Sequence, residues 1–318
     1  MLITLLGLAV LLMALWFWVT QPLFVQPNVI ARVSVDPAQL EAHVRMLAEQ
    51  LSPRDEGHPE NLESVASYLK QEFAAAKAVV SEQAFQVQGK TYRNVIARFG
   101  PDTGERIIVG AHYDTAGPFP GADDNASGVA GLIELARLLG QVSPAVQVEL
   151  VAFTLEEPPY FRTRQMGSAI HAASLMRRGV RVRAMLALEM IGCFSDAPGS
   201  QRLPASFLAA FYPSRGNFIG VVGTFGEGLL VRRVKAAMRE ASVLPVYSIS
   251  APGFIPGVDF SDHLNYQQAG YAAVMITDTA FYRNPNYHAA SDRPETLDYQ
   301  RMALVVEGVY AAVLDLTR

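Results

Sequence analysis

Cysteine is almost absent: the 318-residue chain holds one, Cys193. A single thiol excludes an internal disulfide framework and any thiolate-rich metal site. Any metal must therefore be held by imidazole and carboxylate. Charge is sparse too. Only 18% of residues are charged and the formal net charge is −4. No basic stripe is visible, so composition gives no nucleic-acid partner. Internal repeats and low-complexity segments are also missing. Half the residues are hydrophobic, enough to bury a sizeable core in one large α/β domain or two small ones.

Charge is most completely missing at the N-terminus, where the first ionisable side chain is Arg32. Residues 1–19 are nearly continuous in apolar character, with Trp16 and Trp18 close to the far end. They fit a membrane-spanning helix with an aromatic belt. A removable signal would carry a basic start and a small-x-small cleavage site, and neither is visible. A buried core helix fits poorly, because no face is polar. The reading is a transmembrane anchor over 1–20, a linker over 21–35 containing Pro22 and Pro27, and a folded domain over 36–318. No Lys or Arg precedes the span and only Arg32 follows nearby, so charge orients it weakly.

Within the domain, Asp36 reads as an N-cap with Pro37 at the first helical position, and Leu40, Val44, Leu47 and Leu51 form an apolar stripe. A second amphipathic helix is expected over 61–75, and a hairpin over 79–98 turning near Gly89-Lys90. Ile107-Ile108-Val109 reads as a buried strand ending at His112 and Asp114. Asp123-Asp124-Asn125 then opens a helical pattern through Leu132, Leu135 and Leu138. Further strands are expected over 146–155, 182–191, 218–222, 246–249 and 272–276. Helices are expected over 166–177, 229–241 and 298–316, and residues 195–217 form a long loop with a short helix. The alternation predicts one α/β domain with a mixed, largely parallel central sheet flanked by helices.

Residues suited to chemistry cluster at strand ends. His112 and Asp114, two apart, can point the same way. One division makes His112 a metal ligand and Asp114 the carboxylate fixing its tautomer. Asp124 or Asn125 can cap a helix, or Asp124 can bridge two cations with one oxygen each. The Asn125-Ala-Ser127 sequon is discounted, since a glycan there would block the pocket. Glu156-Glu157, stopped by Pro158, would repel unless a cation or proton separates their roles, one as ligand and one as general base. Glu189, inside the apolar run 185–192, must be paired or metal-bound. His288 lies in the polar run Asn284-Pro-Asn-Tyr-His. Ser261-Asp262-His263 reads as a cap or a substrate-side group. His43, His58 and His171 read as surface residues.

In order and neighbourhood, His-Tyr-Asp at 112–114, Gly-Ala-Asp-Asp-Asn-Ala-Ser-Gly at 121–128, Glu-Glu-Pro-Pro at 156–159 and Asn-Pro-Asn-Tyr-His at 284–288 resemble the co-catalytic zinc aminopeptidases, metallopeptidase family twenty-eight. The resemblance runs from about Asn94 to Tyr299. It implies a zinc-exopeptidase-like fold over 36–318 and two zinc ions sharing Asp124. One ion would also hold His112 and Glu189, the other Glu157 and His288. It further implies Glu156 as general base for a metal-bridging water, with Tyr287 helping to polarise the scissile carbonyl. Many members carry Asp where this chain has Glu189. The implied activity is removal of N-terminal residues from a peptide substrate. The implied location is a single-pass membrane protein with the catalytic domain outside the cytoplasm. The alternatives are a glutaminyl-cyclase-like enzyme on the same fold and a catalytically silent, membrane-tethered binding domain.

Overall fold

The structure is a computed structural model and describes residues 2–22, 25–28 and 31–318. Eight strands among them form one sheet: β1 (Val79–Val87), β2 (Lys90–Phe99), β3 (Glu105–His112), β4 (Gln147–Phe153), β5 (Arg181–Glu189), β6 (Ile219–Gly223), β7 (Val246–Ser250) and β8 (Ala273–Thr277). Their order is β1-β2-β4-β3-β5-β8-β6-β7. β4, β3, β5 and β8 run parallel as neighbours, as do β6 and β7. The hairpin, the β2/β4 pair and the β6/β8 pair are antiparallel. The sheet is therefore mixed around a parallel centre. Because β4 and β5 flank β3 on opposite sides, the chain reverses direction across the sheet at β3, and the crevice at its carboxyl end is where such sheets bind ligands.

The helices are α1 (Leu2–Thr20), α2 (Pro37–Arg45), α3 (Pro59–Ala75), α4 (Gly128–Leu139), α5 (Gly167–Arg177), α6 (Gly228–Ala241), α7 (His263–Gln268) and α8 (Tyr299–Leu316). Strand alternation sends Ile107, Val109 and Ala111 into the larger core with α2, α3, α4, α6 and α8. It sends Ile108 to the other face, with Ala172 and Leu175 of α5 and Tyr266 of α7. Leu132 and Leu135 of α4 are fully buried, each worth about 1.5–3 kcal/mol on leaving water. Asp36 caps α2, its side chain accepting from Ala38 N at 2.9 Å ahead of Pro37.

Two expectations change. The helical pattern expected from Asp123 starts at Gly128 instead, because residues 122–127 are held by other partners. Asp292 accepts from Asp123 N and Asp124 N, and Asn125 Oδ1 accepts from Gly128 N at 3.1 Å. His43 and His171 are buried, not on the surface. His43 Nδ1 meets Tyr68 Oη at 2.5 Å. His171 lies 2.9 Å from Glu149 and 2.6 Å from Tyr266 Oη, so each ring keeps polar partners away from water. His58 does face solvent. Helix α7, six residues long, lies where the sequence shows only Ser261-Asp262-His263.

The expected span over 1–20 falls partly on side chains outside the described residues. Among the described residues no helix is long and apolar enough to cross a membrane. Many described side chains of α1 are nonetheless exposed and apolar, including Leu11, Leu12, Met13 and Trp18, while Val19 at its root is buried.

Candidate metal centre

Three strand ends deliver the site. β3 stops at His112, the chain after β4 reaches Glu156-Glu157, and β5 stops at Glu189. The loop before α8 brings His288 over them. Turning these side chains inward takes unusual backbone: Leu155, Met190 and His288 adopt φ of 59°, 50° and 53°. Left-handed backbone outside glycine costs of order 1–3 kcal/mol per residue and concentrates at functional sites. Gly121 also turns left-handed, with φ of 56°. A Cβ there would lie 2.3 Å from Asp124 O, so only glycine fits.

Asp124 lies between the two imidazoles. Its Oδ1 is 3.4 Å from His112 Nε2 and its Oδ2 is 3.1 Å from His288 Nε2. Glu189 Oε2 is 3.5 Å from His112 Nε2, and Glu157 Oε1 is 3.3 Å from His288 Nε2. Two triads therefore share Asp124: His112, Asp124 and Glu189 on one side, Asp124, Glu157 and His288 on the other. In each triad the candidate donor atoms lie within 4.8 Å of one another. Glu156 Oε2 is 4.0 Å from His112 Nε2. Tyr287 stacks on His288, ring centroids 3.8 Å apart. All eight residues singled out for metal binding or catalysis thus fall in one neighbourhood.

The donor atoms fit a cation. His112 Nε2, Asp124 Oδ2, Glu157 Oε1 and His288 Nε2 are buried and make no well-formed hydrogen bond. Buried polar atoms are rarely left so without a ligand. His112 Nδ1 lies 3.1 Å from the Asp114 carbonyl. A carbonyl only accepts, so Nδ1 carries the proton and Nε2 presents a lone pair. Imidazole and carboxylate together suit zinc.

Proton affinities report the same crowding. Burial pushes Glu156 well above the usual carboxylate range, and Glu157 and Glu189 push it further, against the attraction of His112. Burial, with Asp124 beside it, raises Glu157 to about 7. Burial disfavours charge on His288, yet Asp124 and Glu157 raise it to about 10. Burial opposes the charged form of Asp124 as well, but the two imidazoles hold it below its ordinary value. With no cation, protons gather on the same atoms that would bind one.

Asp114 acts differently from expectation. Its carboxylate stands 3.7 Å from His112 Nδ1, too far for a hydrogen bond, and accepts instead from Glu156 N and Glu157 N, at 3.1 Å each. The backbone carbonyl of Asp114 is what faces the imidazole. Asp114 therefore fixes the peptide that carries the two glutamates.

Several supporting residues were not foreseen. Arg54, fully buried in the loop after α2, donates to the carbonyls of Leu47, Tyr113, Pro120 and Gly121 and ties down the loop leading to Asp124. Asn125 holds Leu188 O and Met190 N on either side of Glu189. Ser261 Oγ donates to Glu189 Oε2 at 2.7 Å. Asp262 is buried and makes no capping bond, and His263 is buried with its Nε2 against the Val258 carbonyl and its pKa lowered by burial to about 4. A serine between Asp259 and Asp262 in a turn leaves no mark in the sequence that tells a carboxylate partner from a plain cap.

Two recesses flank the cluster. A small one beside Asp124 and His288 is lined by Thr115, Phe119 and Asp292. A chamber open to solvent adjoins Glu189 and Tyr287. Its walls include Phe218, Tyr247, Phe260 and Phe281.

Fold and donor set together define an α/β domain of the zinc-aminopeptidase type, with a buried His–carboxylate cluster that can bind metal. The match to the model of peptidase family M28 covers residues 94–313. A protein of Escherichia coli (strain K12), described as uncharacterized protein YfbL, is 50% identical over 90% of this chain and 92% of its own length. Leucine aminopeptidase 1 of Metarhizium robertsii is 26% identical over 76% of this chain. The match spans only 58% of that protein. In fold, a zinc aminopeptidase from Bacillus subtilis superposes with a TM-score of 0.71, at 15% identity, over 89% of this chain and 95% of the other. A glutaminyl cyclase of Fimbriiglobus ruber reaches 0.69, at 22% identity, over 91% and 98%. The chain belongs to peptidase family M28, and the enzyme class this supports is a metallo-aminopeptidase hydrolase.

Proposed function

We propose that the protein is an exopeptidase that removes N-terminal residues from peptides with the help of two zinc ions. His112, Asp124 and Glu189 would hold one ion, and Asp124, Glu157 and His288 the other. The observation that carries this is Asp124, one oxygen facing each imidazole. Charge supports a pair rather than a single ion, since four carboxylates and two neutral imidazoles balance two dications. Bound there, such ions lower the pKa of water and polarise a carbonyl.

This chain's own groups supply the proton traffic and the positioning. Glu156, whose proton affinity is raised by burial and neighbouring carboxylates, takes the proton leaving the attacking water and passes it to the departing amine. Burial keeps the Tyr287 phenol protonated, so it can donate to the scissile carbonyl oxygen. The aromatic chamber beside Glu189 supports a large apolar side chain at the residue removed. Residues 1–20 serve as a single-pass anchor, residues 21–35 connect, and the catalytic domain over 36–318 lies on the extracytoplasmic side. The uncharged, exposed surface of α1 supports the anchor.

Digesting a peptide library with and without chelator tests the reading. Trimming from the amino end that stops with chelator and returns with zinc is expected. Trimming from the carboxyl end, or none, would sink it. The glutaminyl-cyclase reading draws on fold likeness alone. It would yield pyroglutamate from N-terminal glutamine instead of free amino acid. A silent binding domain would release neither.

A further inference from the structure

The root of α1 is fastened to the catalytic domain by groups that the site chemistry does not use. The last carbonyls of a helix have no partner within the helix and carry its negative dipole end. Here the Thr20 carbonyl accepts from Lys235 Nζ at 2.9 Å and from Ser248 Oγ at 2.7 Å, and the Gln21 carbonyl accepts from Lys235 Nζ as well. Lys235 is 5% exposed, an unusual position for an ammonium, and Ser248 Oγ is its third partner at 2.8 Å. Burial lowers it to about 8, so it still carries its proton at neutral pH. Arg232 donates to Gln21 Oε1 at 2.9 Å and lies over the Phe17 ring. Gln21 Nε2 returns to Trp18 O.

Around this latch the surface is apolar. Trp18 is 59% exposed and packs on Phe225, ring centroids 5.8 Å apart, which is itself 43% exposed. Gly228 sits against the Gln21 amide, and the next residue, Leu229, is 63% exposed. These side chains carry apolar exposure from α1 to the first turn of α6, beside the partly exposed Glu227 and Arg232. Contiguous exposed apolar surface of this kind marks an interaction site.

We propose that α1 leaves the domain at a fixed angle set by Lys235 and Ser248, and that the collar of Trp18, Phe225 and Leu229 rests in the lipid–water boundary of a bilayer. The catalytic domain is then held against the membrane, not hung from it on a flexible tether. Ser248 also lines the apolar chamber, so the latch fixes where the chamber stands relative to the lipid surface. This rests on the reading of residues 1–20 as an anchor.

The test uses the full chain with Cys193→Ser, reconstituted in phosphatidylcholine vesicles containing a lipid-borne quencher. An environment-sensitive dye is placed at Leu229→Cys or at Val243→Cys, two residues past the far end of α6, whose stretch from Leu229 to Ala241 spans about 18 Å at 1.5 Å per residue. Tryptophan quenching, read from Trp16 in a Trp18→Phe background because Trp18 belongs to the collar, reports the anchor, and dye quenching reports the collar. The expected result is quenched tryptophan, the dye at 229 losing about half its emission, and the dye at 243 unaffected. Lys235→Met, and separately the milder Ser248→Ala, should weaken quenching at 229 while leaving the tryptophan signal. Quenched tryptophan with a silent dye at 229 overturns the collar and leaves the anchor standing. Equal quenching at 229 and 243, or no response to either latch variant, overturns the fixed angle. No quenching anywhere removes both.

Discussion

Glu189→Asp is the substitution whose outcome follows most directly from geometry. The shorter arm withdraws the carboxylate by about 1.5 Å, one carbon–carbon bond. Two things depend on Glu189 Oε2: its 3.5 Å approach to His112 Nε2 and the bond it accepts from Ser261 at 2.7 Å. β5 cannot slide forward to compensate, because Asn125 grips Leu188 O and Met190 N on either side. Losing a hydrogen bond to a charged group costs about 1.5–3 kcal/mol, so zinc affinity at this position should fall about 10- to 150-fold. Titrating metal-free protein against a chromophoric chelator measures this without reference to turnover. Ser261→Ala should reproduce part of the loss, and the double variant should cost little more than Glu189→Asp alone, because both remove one bond. If Glu189→Asp bound zinc as tightly as the parent, the claim that this backbone is set for the longer side chain would be wrong.

Other consequences can be checked separately. Glu156→Gln should keep its metal content and lose roughly 10²–10⁴-fold in kcat, while near-parental turnover would remove Glu156 as base. Asp114→Asn offers one acceptor to two backbone amides, so thermal melts should show a loss of about 1–3 kcal/mol, together with slower turnover. Glu149, away from the site, tests the electrostatics of the core. Burial pushes it upward, but His171 and the cations Arg98 and Arg106 hold it at about 2 against an ordinary 4.5. A depressed carboxylate stabilises the fold above its unfolded value, and that contribution fades as pH falls from about 4.5 through about 2. It amounts to about 3 kcal/mol at 1.4 kcal/mol per tenfold in proton affinity. Acid unfolding of the parent should lose that increment over this window, and Glu149→Gln should not.

The centre of the fold was legible because burial and chain direction coincide there. Runs such as Ile107-Ile108-Val109 and Leu186-Ala187-Leu188 are apolar on both faces, as only a covered parallel strand requires, and each ends on a ligand candidate. The hairpin edge was legible for another reason: Gly89 marks a two-residue turn, which falls on Gln88-Gly89, one residue before the expected Gly89-Lys90, with Lys90 already paired to Val87. What could not be read is whatever depends on a distant partner. Asp123 to Ser127 carries a sound helix-start pattern, and it yields because Asp292, far along the chain, takes the amides that would have begun the helix. His171 looked like a surface histidine because its partner Glu149 sits in β4, the preceding strand, and only the folding of α5 back over the sheet brings the two together. Asp114 was placed correctly in space but given the wrong partner, since no spacing rule tells whether a carboxylate will meet an imidazole or two amides.

Backbone and charge meet at one place in a way that bears on what the site is for. Leu155 stands immediately before Glu156, Met190 immediately after Glu189, and His288 is itself a candidate ligand. All three are left-handed, at a few kcal/mol together. The same small volume gathers four carboxylates, and removing any of them from water unpaired costs several kcal/mol. Neither cost lowers the free energy of the folded chain taken alone, and the apolar core on both sheet faces has to offset them. Protons can relieve the repulsion only by occupying the lone pairs that face inward, which is what the raised affinities of Glu156, Glu157 and His288 describe. A fold that strains its backbone to point anions at one another, and then leaves inward atoms of Asp124 and Glu157 without donors, is organised to be completed by positive charge.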